Sequence, residues 1–369
     1  MNGIFISQDL SHAGGINEKI YKQMEEFQRS GIKMTPHINP KRNKFHLFIN
    51  IVPFFSKQYF YTRNIKWKNY DFAYIRKGAI FDKSFVKMVK RAKQENPNIK
   101  IIVEIPTYPY INEFQGLLKW IIQSKERIWV SELSKYIDKN VTYSDDTVIY
   151  GIPSINISNA YDFRSEPRRI SREDDTVHLI GVASLCFYHG YDRLIKGMID
   201  YYSENKNKPK VYFTLVGDGP VLDEYKKLVE KAKMEAYIKL VGRKNLSELD
   251  EYYSKADIGI DSLARHRSGV SYNSSLKGKE YLAKGLPIVS GVRTDLDNAD
   301  IPFYYRVPAD DSPLDIKCIV EWYKKLVADQ SKAELRQNIY KYGKDNFTFS
   351  KTFEPVIDYV KGVYNERAN

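Results

Sequence analysis

The sequence has few cysteines: among 369 residues only Cys186 and Cys318 occur, and they lie far apart. A disulfide-stapled fold needs several paired cysteines, and a zinc site needs closely spaced Cys or His ligands. Both classes are therefore excluded, and we expect a protein of the reducing cytoplasm. No pair of aspartates has convincing metal-ligand spacing either, so no metal is expected.

Long apolar runs are also missing. No segment approaches the roughly 18 uncharged apolar residues that a membrane-spanning helix requires. The first residues, MNGIFISQDLSHAGG, lack the basic start and apolar core of a signal peptide. We therefore expect a cytoplasmic protein, with peripheral contact to the inner face of the cell membrane as its closest approach to lipid.

The composition is that of a folded chain with a large core. Hydrophobic residues make up 43% and charged residues 28%, with 20 Gly and 15 Pro, which excludes disordered and collagen-like classes. The length suits two domains of ordinary size.

Positive charge is concentrated in the first part of the chain. The net charge is +12, and residues 1–165 hold 25 Lys and Arg against 15 Asp and Glu. Between Phe45 and Lys77 the cations alternate with aromatic residues, a pattern that suits an anionic membrane surface. A solvated basic face over ordinary core aromatics explains the pattern equally well. Because no recognition motif accompanies it, nucleic acid is not an expected partner. The residues of this stretch that we single out are Phe54, Phe55, Lys57, Tyr59, Phe60, Tyr61, Arg63, Lys66, Trp67 and Lys68.

Strand-like and helix-like segments alternate along both halves, which predicts parallel sheets with ligand sites at the carboxyl ends of the strands. The charged segment Phe163–Asp175 interrupts the pattern and predicts a linker. We therefore predict two doubly wound α/β domains at residues 1–165 and 175–346, with a final helix at about 347–369 that packs back on the first domain. The predicted strands are Gly3–Ser7, Asp71–Ile75, Ile99–Ile105, Val141–Ser144, Val177–Ala183, Val211–Gly217, Ile238–Gly242, Ile258–Asp261 and Leu286–Ser290.

Three glycine-containing loops are candidates for phosphate contact. Gly14-Gly15 separates the first strand from the first helix, His189-Gly190 precedes another helix, and Gly217 ends a strand in the sequence LVGDGP. Glycines let the backbone approach a phosphate, and a helix N-terminus offers unpaired N–H groups. The alternatives are a tight turn, a structural histidine and a simple strand-end turn, respectively.

The segment SSLKGKEYLAKGLPIVSG (Ser274–Gly291) gives the most specific signal. Lys277 and Glu280 are three residues apart, so they lie on one face of a predicted helix that ends at Gly285. The carboxylate can accept hydrogen bonds from both hydroxyls of a ribose, and the ammonium can contact a diphosphate. An exposed ion pair is the alternative.

Residues 140–300 resemble the nucleotide-binding half of GT-B-fold, family-four type retaining glycosyltransferases, particularly those of bacterial capsular and exopolysaccharide biosynthesis. The motifs that carry the resemblance are GVASLCFYHGYDRLI, VYFTLVGDGP, VGRKNLSEL and LKGKEYLAKGLPIVS. The first half matches through Gly14-Gly15, Ile75–Lys77, Val103–Tyr110 and Ile157–Phe163, the last of which is similar to an interdomain signature of the family.

The resemblance implies two Rossmann-like domains that face each other across a cleft, and it implies roles for particular residues. Arg243 and the turn Ser247–Leu249 match the segment that frames the nucleobase. The family's first Glu falls on Tyr272, and its Arg and Lys diphosphate clamp falls on Ser184 and His189, so Lys277 is our candidate cation, with Arg265 or Arg267 as a second. Donor binding is assigned to Gly14, Gly15, Ser184, His189, Gly190, Gly217, Arg243, Leu249, Ser275, Leu276, Lys277 and Glu280.

The predicted function is transfer of a sugar from a nucleotide-sugar, a UDP-sugar in preference to a GDP-sugar, to a lipid-linked or growing polysaccharide acceptor. Positive groups must stabilise the leaving diphosphate, and we assign catalytic roles to Gly15, His189 and Lys277. Glu104, at a strand end, is a candidate for orienting the acceptor or the sugar. The resemblance implies retention of anomeric configuration and no metal or other cofactor. The alternatives are a nucleotide-sugar epimerase and a degenerate, non-catalytic GT-B partner subunit.

Overall fold

The protein consists of two compact α/β units. The computed structural model describes all residues except 9–13, 40–59, 79, 114–115, 169–174, 205–208, 298–300 and 369. Unit 1 comprises Met1–Ser158 and Phe349–Asn369, and unit 2 comprises Asn159–Thr348. Each unit has its own sheet and its own hydrophobic core. The prediction of two parallel-sheet α/β domains is confirmed.

Unit 1 is built on a seven-stranded sheet with the order β2-β1-β3-β4-β5-β7-β6. All neighbours are parallel except the β6–β7 pair. The strands are β1 (Asn2–Gln8), β2 (Lys33–Asn39), β3 (Phe72–Arg76), β4 (Lys100–Ile105), β5 (Lys139–Thr142), β6 (Val148–Ile149) and β7 (Ile152–Asn156), and the helices are α1 (Gly14–Arg29), α2 (Lys83–Glu95) and α3 (Gly116–Leu133).

Unit 2 is built on a six-stranded parallel sheet with the order β10-β9-β8-β11-β12-β13. Its strands are β8 (Val177–Ser184), β9 (Val211–Asp218), β10 (Ile238–Leu240), β11 (Ile258–Ile260), β12 (Ile288–Ser290) and β13 (Tyr304–Arg306). Its helices are α4 (Tyr191–Ser203), α5 (Leu222–Lys231), α6 (Leu246–Lys255), α7 (Leu276–Ala283), α8 (Ile316–Leu326) and α9 (Lys332–Asn346).

The last helix, α10 (Phe349–Ala368), belongs to unit 1 although it follows unit 2 in sequence. Its buried residues Phe353 and Val356 lie in the same core cluster as Phe27 and Tyr74. The rings of Phe353 and Phe27 meet edge to face at 5.1 Å between centroids, an arrangement that favours aromatic pairs. Apolar contact therefore anchors the end of the chain to unit 1.

The strand order of unit 2 fixes where a ligand site is expected. Numbered along the chain, these strands run 3-2-1-4-5-6 across the sheet, the order of dinucleotide-binding folds. Strands β8 and β11 are neighbours. The chain continues from β8 to β9 toward one edge of the sheet and from β11 to β12 toward the other edge. Such a switch point opens a crevice at the carboxyl ends of the strands, so the loops after β8 and β11 border the expected site.

Candidate functional site

His189 lies in the loop after β8, where a short 3-10 turn (Phe187–His189) precedes α4. The backbone N–H of Cys186 donates a hydrogen bond to His189 Nδ1 at 3.0 Å, so a neutral ring carries its proton on Nε2. Burial, together with the positive charges of Lys277 and Arg265, lowers the pKa of His189 well below its usual value. At neutral pH this side chain is an uncharged donor.

Gly190 is required by the backbone at this point. Its φ of +68° lies in the left-handed region, which side chains disfavour. A Cβ atom here would stand 2.5 Å from Ala264 Cβ and 2.8 Å from Ala264 N. The backbone N–H of Leu263 donates to the His189 carbonyl at 2.8 Å. The loops after β8 and β11 are therefore packed directly against each other, and the glycine has a structural reason of its own.

Lys277 stands in the first turn of α7, beside a buried carboxylate at the end of β11. The Ser275 hydroxyl caps the helix by accepting from the Gly278 N–H at 2.8 Å, and it donates to Asp261 Oδ2 at 2.7 Å. Asp261 is 1% exposed, and its Oδ1 lies 3.8 Å from Lys277 Nζ. Burial lowers the pKa of Lys277, and the charge of Asp261 partly offsets that change. Asp261 thus holds the ammonium at the N-terminus of α7.

Glu280 lies one turn further along α7 and is half-buried. Burial raises the pKa of its carboxyl, and the Tyr253 hydroxyl and the ammonium groups of Lys284 and Lys277 act in the opposite direction. The adjacent Tyr281 is fully buried and donates from its hydroxyl to the Ile260 carbonyl at 2.9 Å. Tyr281 therefore fixes α7 to β11, and this fixes the position of Glu280.

A polar network supports the segment that leads into α7. The Asn159 backbone N–H donates to Ser274 Oγ at 2.8 Å, and its side-chain amide bonds to the Ser274 carbonyl. Ser274 Oγ in turn donates to Asp295 Oδ2 at 2.6 Å, and Asp295 pairs with the buried Lys279. Asn159 lies in the segment that resembles an interdomain signature, and here it braces the entry to α7.

Neither arginine expected as a second cation is freely available. Arg267 makes two hydrogen bonds to Asp192, at 2.8 and 2.9 Å, and a third to Asp311 at 2.7 Å. The guanidinium of the buried Arg265 lies 4.5 Å from the centroid of the Tyr188 ring. Arg267 is thus already paired with two carboxylates, and its role as a second cation stays a prediction. Arg265 contributes positive charge near His189 and Lys277.

The remaining residues predicted for unit 2 lie along the same edge of its sheet. Ser184 ends β8 and is exposed, and Arg243 is exposed beyond β10. Gly217, at the end of β9, is forced by packing, because a Cβ atom would collide with the Ala183 carbonyl oxygen. Leu249 lies in the first turn of α6, so the expected turn at this segment is a helix start. Ser184 borders the switch point, whereas Arg243 and Leu249 follow β10 at the edge of the sheet. Their roles in donor binding stay predictions.

Gly14 and Gly15 are the first two residues of α1. The sequence analysis expected them in the loop that precedes a helix. The structure makes them the N-terminal turn itself, at the carboxyl end of β1, and the preceding residues 9–13 lie outside the described part. A helix N-terminus retains unpaired N–H groups, so a contact to an anion from this turn stays a prediction.

Glu104 has an internal role. It is 0% exposed, and its Oε2 accepts hydrogen bonds from the Tyr74 hydroxyl at 2.6 Å and from Gln23 Nε2 at 2.7 Å. Arg76 bonds to Oε1, and Lys19 Nζ lies 3.9 Å from the same oxygen. The carboxylate neutralises buried cations inside unit 1. Its burial contradicts the expectation that it orients a substrate.

The basic and aromatic stretch is only partly covered by the structure. Phe54, Phe55, Lys57 and Tyr59 lie outside the described residues, as do the side chains of Phe60 and Tyr61. Trp67 is 1% exposed and belongs to the core of unit 1. Arg63, Lys66 and Lys68 are exposed. The alternative of core aromatics beneath a basic face therefore holds for Trp67.

The part of the chain that the structure describes contains neither a group of side chains suited to a metal ion nor a helix suited to a membrane. No group of three or more His, Cys, Asp or Glu side chains in this part of the chain could hold a metal ion. No helix among the same residues is long and apolar enough to cross a membrane.

Sequence comparison identifies the domain that carries this site. Residues 162–291 match the family described as "Glycosyl transferases group 1". The chain is 26% identical over 164 residues to an alpha-monoglucosyldiacylglycerol synthase of Acholeplasma laidlawii, a match that covers 42% of this chain and 39% of the relative. The chain therefore aligns with about two fifths of that relative's length.

Structure comparison extends the similarity to the whole fold. A lipopolysaccharide outer core galactosyltransferase has a TM-score of 0.60 at 11% identity, with 100% of both chains covered. The Anabaena protein HepE, solved in complex with UDP-glucose, has a TM-score of 0.61 at 12% identity and covers 100% of this chain and 99% of its own. Residues 162–291 are thus a group 1 glycosyltransferase domain, within a chain that has the two-unit α/β fold called GT-B.

Proposed function

We propose that the protein is a glycosyltransferase that takes a sugar from a nucleotide-sugar donor bound to unit 2. The observation that carries this proposal is the grouping of Lys277, Glu280 and His189 at the switch point of a dinucleotide-type sheet. A nucleotide-sugar carries a diphosphate and a ribose; Lys277 and His189 offer hydrogen-bond donors to the diphosphate, and Glu280 offers acceptor oxygens to the ribose.

The diphosphate is proposed to lie at the N-terminus of α7. Lys277 supplies a positive charge, and the first N–H groups of α7 and α4 supply partial positive charge at the same edge of the sheet. The uncharged His189 adds a donor at Nε2. Negative charge grows on the diphosphate as the anomeric bond breaks, so these groups stabilise the transition state more than the bound donor.

Glu280 is proposed to accept hydrogen bonds from both hydroxyls of the ribose. It lies one turn of helix beyond Lys277, on the same face, as a ribose next to a diphosphate requires. The family resemblance further implies that the transfer retains the anomeric configuration of the sugar and that it needs no metal ion. A UDP-sugar is the favoured donor, in keeping with the UDP-glucose bound to HepE.

A thermal-shift panel of UDP, GDP and their sugar conjugates tests this proposal. A ligand at 100 times its dissociation constant adds about 2.7 kcal/mol to the free energy of unfolding, so at least one nucleotide should raise the melting temperature by several degrees. If none does, the proposal is wrong.

A product assay then distinguishes the possible reactions of the donor that binds. Release of nucleoside diphosphate only when a lipid-linked saccharide is present indicates transfer. Conversion of the donor sugar without an acceptor would instead indicate an epimerase, and binding without turnover a non-catalytic subunit.

The acceptor is proposed to be lipid-linked and to be met at an anionic membrane surface, where capsular or exopolysaccharide precursors are assembled. The Acholeplasma relative is named for a product built on diacylglycerol. Helix α3 supports the proposal, because Leu117, Trp120 and Ile128 are 73%, 65% and 60% exposed. At 100° per residue these three lie within about 80° of one another. Arg127 is exposed beside them, as on helices that rest on anionic lipid.

Replacing Leu117, Trp120 and Ile128 by Ser is expected to weaken binding to phosphatidylglycerol-containing liposomes at least about tenfold. Each inserted apolar side chain contributes on the order of 1 kcal/mol even when it is only partly buried in lipid. Co-sedimentation measures the effect. Val148→Ser is the matched control, because Val148 is 55% exposed in unit 1 but lies on β6. Unchanged sedimentation of the triple variant would remove α3 from the membrane contact.

A further inference from the structure

Unit 2 contains a cavity of about 700 Å³ that the proposed diphosphate and ribose contacts leave unused. Its walls come from three loops, each of which follows the carboxyl end of a parallel strand. This edge of the sheet is where ligands bind in such folds, and it is the edge that holds His189 and Lys277. The cavity is lined by His266, Gly269, Val270, Ser271, Gly291, Val292, Arg293, Arg306, Val307, Pro308 and Ala309.

The lining is basic. Arg293 and Arg306 contribute two permanent positive charges, and none of the described residues that line the cavity is acidic. Arg306 Nε lies 3.3 Å from Asp297 and its side chain is 48% exposed, so the pair is screened and leaves most of the guanidinium donors available. Such a lining favours an anionic group of a ligand over a neutral one.

His266 also lines the cavity. Its Nε2 lies 3.2 Å from Asp311 Oδ1. Its Nδ1 atom is buried and has no hydrogen-bond partner among the residues that the structure describes. Because this atom has almost no accessible surface, a ligand in the cavity cannot reach it, and the preference for an anion rests on the two arginines.

The cavity is within reach of the proposed diphosphate site. Ser271 in its wall is four residues from Ser275, the cap of α7, and four residues span at most about 14 Å. Tyr272 and Asn273 between them are held against Arg293: the Asn273 N–H donates to the Arg293 carbonyl at 2.9 Å, and the Arg293 guanidinium lies 5.6 Å from the Tyr272 ring. The segment that joins the cavity wall to the cap of α7 is therefore in contact with Arg293.

We infer that this cavity receives the carboxylate of an acidic donor sugar, so that the donor is a nucleotide-activated uronic acid. Arg293 is the principal contact, because it borders both the cavity and the loop that leads to α7. Arg306 provides a second positive charge. The inference rests on the proposed function, since it concerns the sugar of the same donor.

Calorimetric titration of the full chain tests the inference with six ligands: UDP, UDP-glucose, UDP-glucuronate, GDP, GDP-mannose and GDP-mannuronate. For the base that binds, the uronate conjugate should bind at least about tenfold more tightly than its neutral counterpart, on the scale of one charge-assisted hydrogen bond. Arg293→Gln should remove that advantage and leave the affinity for the free nucleoside diphosphate within about twofold. Arg306→Gln should reduce the advantage in part.

The control is Lys325→Gln, which removes one exposed positive charge from α8 of the same unit; it should leave the preference unchanged. Equal or tighter binding of the neutral sugar, or a preference that survives in both arginine variants, would overturn the inference while the proposed function stands. If none of the six ligands binds, the proposed function fails as well.

Discussion

Replacing Lys277 by Met is expected to lower the rate of sugar transfer at saturating donor by about 100- to 1000-fold. This is the range seen when one preorganised group that stabilises a developing negative charge is removed. Lys277 is held at the N-terminus of α7 by Asp261, so its ammonium needs little rearrangement to meet the diphosphate. Lys277→Arg keeps the charge and should retain part of the rate.

The chain offers a closely matched control in Lys332. Its Nζ lies 3.3 Å from the buried Asp257, and its side chain is 25% exposed, against 21% for Lys277. Lys332→Met thus removes a similar ion pair away from the proposed site and should keep the wild-type rate. Turnover of Lys277→Met within about threefold of the Lys332 variant would show that the ammonium has no part in catalysis.

Glu280→Ala should weaken nucleoside diphosphate binding by roughly 10- to 100-fold, the scale of losing two charge-assisted hydrogen bonds to the ribose. Calorimetric titration with UDP and GDP measures the effect. Glu230→Ala, at an exposed position of α5, is the control for loss of a carboxylate. Unchanged affinity of the Glu280 variant would take this residue out of the nucleotide site.

The variant Glu280→Gln removes the charge and keeps the shape of the side chain, so its melting temperature shows whether a loss of nucleotide binding comes from a loss of folding stability. Because burial raises the pKa of Glu280, the folded state holds this proton more tightly than the unfolded chain. Its ionisation therefore costs stability as the pH rises from the ordinary glutamate pKa through the raised one. At pH 7.5 the Gln variant should melt no lower than the wild type, and any advantage should disappear near pH 4. A lower melting temperature at pH 7.5 would contradict the burial of the charge.

Alternation of apolar segments was sufficient to predict the sheets of both units. Buried runs such as Ile99–Ile105 and Val177–Ala183 coincide with β4 and β8 within two residues, because strands covered on both faces are almost wholly apolar. Four strands were not predicted, namely β2, β6, β7 and β13. Most of their residues are exposed or only partly buried, so their sequences carry no continuous apolar signal.

The site was predictable where helix chemistry determines it. Ser275 at the cap of α7, with Lys277 and Glu280 on one face, follows from capping and helical spacing. The role of Asp261 was not predicted, although it is the last residue of a predicted strand, because its contact with Ser275 joins positions 14 residues apart. Glu104 had the same strand-end signal, and only its partners from α1 and β3 reveal that it is internal.

Hydrogen exchange with and without a saturating nucleoside diphosphate tests the central proposal most directly, namely that the diphosphate binds at the N-terminus of α7. Mass spectrometry should detect slower exchange of the amides at Ser275–Gly278 and Phe187–Tyr191, with the exchange of α8 unchanged. Protection confined to other segments, or absent from both of these while the nucleotide is bound, would contradict the account.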